Sequence, residues 1–313
     1  MNKIVHFIVY SKAAAYIAAL LYIVIWCSKS VLAGGITLWG SLGLLLSLVA
    51  GYLSVRVARE HSFNDTKGAL PATLFFMGCA IAPQTSLVRS DVVHFILFIA
   101  ACYILLCTYH RRSAMGSYFL AFALVGVQCL MAPSLLLTLP FLVLCGVFME
   151  SLHVRTFFAA LWGLLLPYWV AFGVLFLTDR VSLIVPYLGQ IQPSMLSGPA
   201  ISDAPLRWMQ LLWIFLLALP GSVMILLNRT VKLQANAGFR LLITSFVVLL
   251  VTVWLSPSCY SALLPCILLY SSLIGTVLFV GNGNRGKNIY LIVLLILWIS
   301  FISQPIWINY TMH

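Results

Sequence analysis

Long apolar runs, broken by short polar turns, make up most of the chain. Each run is 16–23 residues long, and a helix needs about 20 apolar residues to cross the hydrocarbon core of a membrane. The pattern therefore predicts an all-α fold, a polytopic transmembrane helix bundle with eleven spans. The predicted spans are 13–33, 36–55, 69–87, 92–109, 114–132, 134–150, 156–178, 208–228, 241–256, 259–280 and 288–309.

The positive charges between the runs indicate how the chain crosses the membrane. Lys and Arg are enriched in the cytoplasmic loops of membrane proteins, and 13 of the 17 in this chain fall on one side of the predicted spans. The N-terminus is therefore predicted in the cytoplasm, and an odd number of spans puts the C-terminus outside. The 13 are Lys3, Lys12, Arg56, Arg59, Lys67, Arg111, Arg112, Arg155, Arg229, Lys232, Arg240, Arg285 and Lys287. The four on the predicted external side are Lys29, Arg89, Arg180 and Arg207.

The composition supports a membrane protein and argues against a soluble protein and against a nucleic-acid-binding protein. The chain is 63% hydrophobic and 7% charged, whereas a soluble domain carries about 25% charged residues. Its net charge of +11 comes from single basic residues and pairs at predicted helix ends. We therefore expect these basic residues to contact membrane lipids. We expect no nucleic acid to bind to the protein. The predicted location is the bacterial inner (cytoplasmic) membrane, which the chain crosses several times.

The predicted spans leave few residues for a soluble domain, so we expect a single integral membrane domain over 1–313. A short motif occurs twice within it: Cys-x-x-Ala-Pro stands at 79–83 and again at 129–133. In both places it closes a predicted outward helix, which favours duplicated hairpins over 69–112 and 114–155. The alternative is that Ala-Pro simply ends helices, because the residue before a proline avoids the helical conformation.

Groups that bind metals or relay protons are scarce. The eight cysteines form no Cys-x-x-Cys pair, and no histidine stands at zinc-ligand spacing from two of them, so we predict no metal site and no cofactor. No Asp, Glu, Lys or Arg lies at the centre of a predicted span, which argues against ion-coupled transport. His94 and His110 lie near opposite ends of the fourth span. We interpret them as interfacial residues whose polar ring atoms face the membrane surface.

Six charged residues are predicted on the same external face and form the candidate site. Arginine binds phosphate and diphosphate through its planar guanidinium group, and a neighbouring carboxylate can act as a general base. The candidate substrate-binding residues are Arg89, Arg180 and Arg207, the candidate catalytic residues are Asp91 and Asp179, and Asp203 is the sixth charge. The alternative is that adjacent Arg and Asp side chains neutralise each other at helix ends.

The start of the seventh span carries a pattern found in other proteins. The stretch His153-Val-Arg155-Thr-Phe-Phe-Ala-Ala-Leu-Trp-Gly163-Leu-Leu-Leu-Pro167-Tyr168 resembles one in a family of uncharacterised inner-membrane proteins of Bacteroidota. In that family a basic loop leads into a helix with a Gly-x-x-x-Pro-Tyr frame. The resemblance implies a multi-span fold over nearly the whole chain, and it brings no activity and no catalytic residues.

The layout is also similar to that of the polytopic lipid-linked-sugar glycosyltransferases and the O-antigen polymerases. The likeness implies a polyprenyl-phosphate-linked substrate. Those glycosyltransferases place an acidic pair in their first external loop, whereas the corresponding loop here, 28–35, holds no acid. This difference argues against catalysis of their type.

Three functions are consistent with these patterns. The first is an envelope-glycan protein that handles polyprenyl-linked precursors, as an enzyme or a polymerase. The second is a lipid or solute transporter. The third is a non-catalytic membrane subunit that assembles with another envelope protein. The sequence leaves open whether the protein is an enzyme.

Overall fold

A computed structural model shows how the chain folds. It describes residues 3–32, 35–60, 69–81, 89–108, 114–132, 135–136, 139, 143, 151, 153–183, 187, 205–227, 233–255, 260–277 and 285–311. Within these ranges every regular element is helical and no strand occurs. The predicted all-α class is therefore confirmed.

Eleven α-helices occur in the described ranges. They are α1 (Lys3–Tyr10), α2 (Lys12–Leu32), α3 (Leu38–Glu60), α4 (Leu70–Ile81), α5 (Arg89–Leu106), α6 (Met115–Met131), α7 (Val154–Leu177), α8 (Pro205–Leu227), α9 (Leu233–Leu255), α10 (Tyr260–Thr276) and α11 (Arg285–Thr311). A short 3-10 turn at Val181–Leu183 follows α7.

Ten of the eleven predicted spans coincide with helices α2–α11. The other predicted span, 134–150, lies almost wholly outside the described residues and stays a prediction. The apolar pattern does not predict α1, because this helix has only 8 residues and is too short to be a span. The helices themselves are thus confirmed, and the number that cross a membrane is a separate question.

Several helices continue into segments predicted as loops, and α3, α9 and α11 are examples. α3 runs to Glu60, and α9 and α11 begin at Leu233 and Arg285, outside the apolar runs. An apolar run marks only the part of a helix that can lie in the hydrocarbon core of a membrane. The backbone hydrogen bonds of the helix continue through the polar residues on either side of that part. Arg59 illustrates this, since it lies in the last turn of α3, where a positive charge complements the helix dipole.

The described part of α4 runs from Leu70 to Ile81. The rest of its predicted span, 82–87, lies outside the described residues.

The chain divides into two compact units, each assembled from separate segments. Unit 1 comprises Met1–Val88, Ser202–Ala235 and Leu268–His313, and unit 2 comprises Arg89–Ile201 and Asn236–Ile267. The single membrane domain over 1–313 and the duplicated hairpins stay predictions, because much of the second hairpin lies outside the described residues.

The centre of unit 1 is α4, an apolar helix that is buried on every side. All twelve of its residues are buried, and α1, α2, α3, α8 and α11 pack around it. Side chains from two of these helices bond to backbone carbonyls near its end. Trp298 Nε1 donates to the Met77 oxygen at 2.8 Å, and Gln210 Nε2 donates to the Gly78 oxygen at 3.4 Å.

In unit 2, α6 and α7 lie side by side and run in the same direction. Gly163 of α7 lies against the backbone of Phe119, and Gly126, further along α6, lies against the Leu164 carbonyl and the Pro167 ring. A Cβ atom on Gly126 would be 2.7 Å from the Leu164 oxygen. Small residues let two helix backbones approach closely, so the Gly-x-x-x-Pro frame noted in the sequence is the contact surface of α7 with α6.

Two further properties are typical of helices in a membrane. Within the described ranges, three helical segments are long and apolar enough to cross one: Lys12–Val31, Leu38–Arg59 and Val154–Leu177. Most hydroxyl groups in the helices donate to a carbonyl of their own helix one turn earlier, as Ser47 and Thr252 do at 2.9 Å. Polar groups surrounded by hydrocarbon must find partners inside the protein, so these features indicate a membrane protein.

Candidate functional site at one end of unit 2

Two long-range hydrogen bonds define one end of unit 2, here called the Tyr187 end. Gln128 Nε2 of α6 donates to the His94 carbonyl of α5 at 3.0 Å, and the Tyr187 hydroxyl donates to the Cys129 carbonyl at 2.9 Å. The beginning of α5 therefore lies beside the end of α6. Because α7 runs parallel to α6, its C-terminal half lies at the same end of the unit.

The Cys129 carbonyl accepts a side-chain hydrogen bond because its usual backbone donor is missing. In a continuous helix this carbonyl would bond to the N–H group four residues later, but that residue is Pro133, which has no N–H. Ala132 already leaves the helix, with φ −137° and ψ 94°. The second Cys-x-x-Ala-Pro motif thus creates an unsatisfied carbonyl, and Tyr187 satisfies it.

A second tyrosine, Tyr168 of α7, lies next to this hydrogen bond. Its hydroxyl interacts with the Tyr187 hydroxyl, although the pair falls outside strict hydrogen-bond geometry. The Tyr168 residue as a whole is half-buried, but its hydroxyl oxygen is buried. The two tyrosines are therefore part of the packing at this end of the unit.

The Tyr187 hydroxyl keeps its proton at neutral pH. Burial of the ring raises the pKa of Tyr187 above its ordinary value, while the interaction with the Tyr168 hydroxyl lowers it and the neighbouring Cys129 side chain raises it. An ordinary tyrosine has a pKa of about 10. The hydroxyl is therefore a permanent donor to the Cys129 carbonyl under physiological conditions.

Arg89 and Asp91 lie in the first turn of α5 rather than in the loop where the sequence analysis put them. The helix begins three residues before the predicted span, and a carboxylate near a helix N-terminus is favourable because it complements the helix dipole. Their side chains are outside the described part of the structure. His94 follows one turn later and is buried, although the sequence suggested a polar tip at the interface.

Asp179 and Arg180 are exposed and form the C-terminal cap of α7. Asp179 has φ 54°, and its N–H donates to the Phe176 oxygen at 3.2 Å, while the N–H of Arg180 donates to the Leu175 oxygen at 2.9 Å. This pair of bonds is the Schellman motif, which usually has glycine at the left-handed position and tolerates Asp there. Asp179 thus has a structural role, and its exposed carboxylate remains a candidate base.

The candidate residues fall into three groups by position. Arg89 and Asp91 begin α5, and Asp179 and Arg180 end α7, so all four belong to the same end of unit 2. Along α7, the cap is more than ten residues, about 15 Å, beyond Pro167. Arg207 lies in the first turn of α8 in unit 1, and Asp203 is outside the described residues. The predicted six-residue cluster stays a prediction.

The opposite end of unit 2, here called the Ser151 end, holds a group of buried hydroxyls that the sequence analysis missed. The Ser151 hydroxyl is 2.7 Å from that of Tyr118 and 3.4 Å from that of Thr108. Thr156 donates to the Ser151 carbonyl at 3.1 Å. Ser151 lies 33 residues from Tyr118 and 43 from Thr108, so no local pattern shows the group. Because each hydroxyl has a partner, the group fastens α5, α6 and the start of α7 together.

Metal ligands are not grouped in the part of the chain that the structure covers. Within the described ranges, no three His, Cys, Asp or Glu side chains lie close enough together to hold a metal ion. Comparisons of the chain with protein-family models, with curated proteins and with solved structures find no match.

Proposed function

We propose that the protein is a multi-pass protein of the bacterial inner membrane that handles polyprenyl-linked precursors of envelope glycans. In this proposal the chain crosses the membrane eleven times, with the N-terminus in the cytoplasm and the C-terminus outside. The Tyr187 end of unit 2 faces the exterior and binds the diphosphate of the precursor.

The surface of α7 supports the membrane assignment. Apolar side chains around this helix are exposed along its length, with Trp169 at 67% and Leu177 at 83% of full exposure. A soluble protein rarely exposes an apolar surface of this extent. The helix has 24 residues, about 36 Å, which is sufficient to cross a hydrocarbon core of about 30 Å.

The parallel direction of α6 and α7 supports a further span between them, which makes the total number of spans odd. Ser151 lies beside Tyr118 at the start of α6, whereas Met131 ends that helix about 20 Å away. Two parallel neighbours require the chain between them to return from one end of the unit to the other. The predicted span 134–150 is the segment that joins these two ends.

The charges at the two ends of α7 support the orientation. Arg155 stands at the Ser151 end, and in the sequence Arg111 and Arg112 lie between Thr108 and the start of α6, which belong to this end. The Tyr187 end has Arg180 and Arg89, each with an aspartate one or two residues away in the sequence. The excess of positive charge is therefore at the Ser151 end, which is the end that the rule for cytoplasmic loops assigns to the inside.

One observation carries the functional proposal: Arg89 at the beginning of α5 and Arg180 after α7 belong to the same end of unit 2. Two arginines at one end of a unit suit a diphosphate, because each planar guanidinium group presents a pair of parallel donors to phosphate oxygens. Asp91 and Asp179 are the candidate bases if a reaction takes place there, since the cap uses the backbone of Asp179 and leaves its carboxylate exposed. Arg207 of unit 1 is a separate candidate.

Mass spectrometry of the protein extracted from its native membrane in mild detergent tests the proposal. We expect a polyprenyl phosphate or diphosphate to remain bound to the wild-type protein and to be lost from an Arg89→Ala, Arg180→Ala double variant. A stoichiometric protein partner without such a lipid would instead favour the non-catalytic subunit. A variant that keeps the lipid at the wild-type level would rule out these arginines as its ligands.

A further inference from the structure

We propose that the end of unit 1 where α2 begins and α3 ends binds the anionic headgroup of a phospholipid of the cytoplasmic leaflet. Four exposed side chains form this surface, here called the Lys12 surface: Lys12 and Tyr16 of α2, and Tyr52 and Arg59 of α3. The inference goes beyond the proposed function, because the surface belongs to the other unit and does not involve the arginines of the Tyr187 end.

α2 and α3 form an antiparallel hairpin, which brings the four side chains to one end. Residues 33–37 alone separate the two helices in the sequence, and the helices pack against each other and against α4. A side-chain hydrogen bond joins Tyr22 of α2 to Ser47 of α3. Tyr22 stands ten residues before the end of α2 and Ser47 nine residues after the start of α3, as an antiparallel pair requires.

The tyrosines and the basic residues occur at matching depths on the two helices. Counted from the hydrogen bond between the helices towards the open end of the hairpin, Tyr16 and Tyr52 lie about 8–9 Å away, and Lys12 and Arg59 lie about 15–18 Å away. Residues about four or seven positions apart share one face of a helix, so each helix presents its tyrosine and its basic residue on the same side.

The exposed face of α3 changes from apolar to aromatic to charged along the helix. It carries in turn Leu38, Leu42, Leu45, Val49, Tyr52, Arg56 and Arg59. The exposed face of α2 changes in the same way towards its own start, from Val24 and Leu20 through Tyr16 to Lys12. Tyr16 is 74% and Tyr52 70% exposed.

This order of side chains is typical of a helix that leaves a membrane. Tyrosine is enriched where the hydrocarbon meets the lipid headgroups, and both helices are long and apolar enough to cross a membrane. The two tyrosines therefore mark the edge of the hydrocarbon. The basic residues, one to two turns further out, lie at the depth of the phosphate groups.

Charge decides which class of lipid suits the surface. Lys12, Arg56 and Arg59 are exposed at this end of the hairpin, and Glu60 is the only acid among residues 1–60. The positive charge attracts an anionic headgroup such as that of phosphatidylglycerol, whereas phosphatidylcholine carries no net charge. A soluble acidic partner fits less well, because the apolar faces of both helices continue directly from the basic residues.

Native mass spectrometry of the protein in mild detergent tests the inference, with phosphatidylglycerol and phosphatidylcholine of identical acyl chains as probes. We expect the wild-type protein to bind phosphatidylglycerol more tightly. Lys12→Gln and Arg59→Gln should each weaken this binding about fivefold, the effect of one basic residue near an anionic headgroup, and leave the binding of phosphatidylcholine unchanged. Lys29→Gln removes the same charge near the opposite end of α2 and should keep wild-type affinity.

Two further variants separate binding from folding. Lys12→Arg and Arg59→Lys keep the positive charge and should keep the preference for phosphatidylglycerol, and the glutamine variants should keep the Tm of the wild type because the replaced side chains are exposed. Equal affinity of the wild type for the two lipids would overturn the inference. An equal loss of affinity in Lys29→Gln would also overturn it, because net charge rather than the Lys12 surface would then be the cause.

The Arg89→Ala, Arg180→Ala double variant distinguishes the inference from the proposed function. This variant should lose the polyprenyl lipid and still prefer phosphatidylglycerol to phosphatidylcholine. If the wild type holds no polyprenyl lipid but shows this preference, the proposed function fails and the Lys12 surface stands. A double variant without the preference would assign the anionic lipid to the Tyr187 end and overturn the inference.

Discussion

At the scale of single residues, glycines set the distance between α6 and α7. A Cβ atom on Gly163 would collide with the Phe119 carbonyl oxygen and lie 3.0 Å from its carbonyl carbon, and the backbone cannot easily move away. Gly173, ten residues later on the same helix, has no atom of the described residues within 4 Å of the corresponding position. Two glycines in one helix thus have opposite tolerance for a methyl group.

Gly163→Ala is expected to destabilise the protein by about 1–3 kcal/mol, the usual cost of overpacking. Gly173→Ala is the matched control and should be neutral or stabilising by up to about 1 kcal/mol, because alanine favours the helical conformation. The measurement is thermal unfolding of both variants in the same detergent. Equal Tm values for the two variants would contradict the close contact of α6 and α7.

Tyr187 gives a second prediction, which depends on pH. Tyr187→Phe leaves the Cys129 carbonyl without a donor and should cost about 1–3 kcal/mol of stability. The raised pKa of Tyr187 means that folding favours the protonated phenol, so its contribution is complete below the ordinary pKa of about 10 and is lost as the pH rises through the folded value. The difference in Tm between wild type and Tyr187→Phe should be constant at neutral pH and shrink in strongly alkaline buffer. A difference that shrinks below pH 8 would exclude Tyr187 as its source.

At the scale of the elements, apolar runs predict the helices because one property, sustained hydrophobicity, decides both where a helix forms and where it is buried. Helix ends are less predictable. Polar residues extend α3 and α9 beyond the apolar runs. The ends depend on capping, proline and charge, which act over one turn and contribute little to the hydrophobic pattern.

Only the charged residues of the candidate site could be predicted from the sequence. Arg89 and Arg180 stand out because charged residues are rare in this chain. The hydrogen bonds that bring their helices together join residues 34 and 58 positions apart, and their donors, Gln128 and Tyr187, look ordinary in the sequence. The Cys-x-x-Ala-Pro motif was the available signal, since it implies a carbonyl without a backbone donor.

The exposed surface of α7 leads to a prediction at this scale. Trp169 lies on this surface, so Trp169→Lys should impose a cost of about 2.5 kcal/mol on membrane insertion if lipid surrounds the helix, whereas Trp169→Leu should be tolerated. The amount of each variant recovered in the membrane fraction measures the effect. In water the lysine would be the better residue at an exposed position, so insertion of Trp169→Lys at the wild-type level would show that lipid does not cover this surface.

At the scale of the whole molecule, the account depends on the opposite placement of the two ends of unit 2. The Ser151 end carries a group of hydroxyls that have partners, beside basic residues that suit the cytoplasmic side. The Tyr187 end carries charges of both signs, Asp179 and Arg180 among them. A site for a lipid-linked diphosphate at the external surface requires that a membrane separates these two ends.

The most direct test is side-specific labelling at two exposed residues near opposite ends of α7, Arg155 and Arg180. Each is replaced by cysteine in turn, and intact cells are treated with a membrane-impermeant thiol reagent, with the wild-type protein as the control for its own cysteines. The account predicts that Arg180→Cys reacts in intact cells and that Arg155→Cys reacts only after the membrane is opened. Labelling of both positions from the same side would contradict it, because α7 would then not cross the membrane.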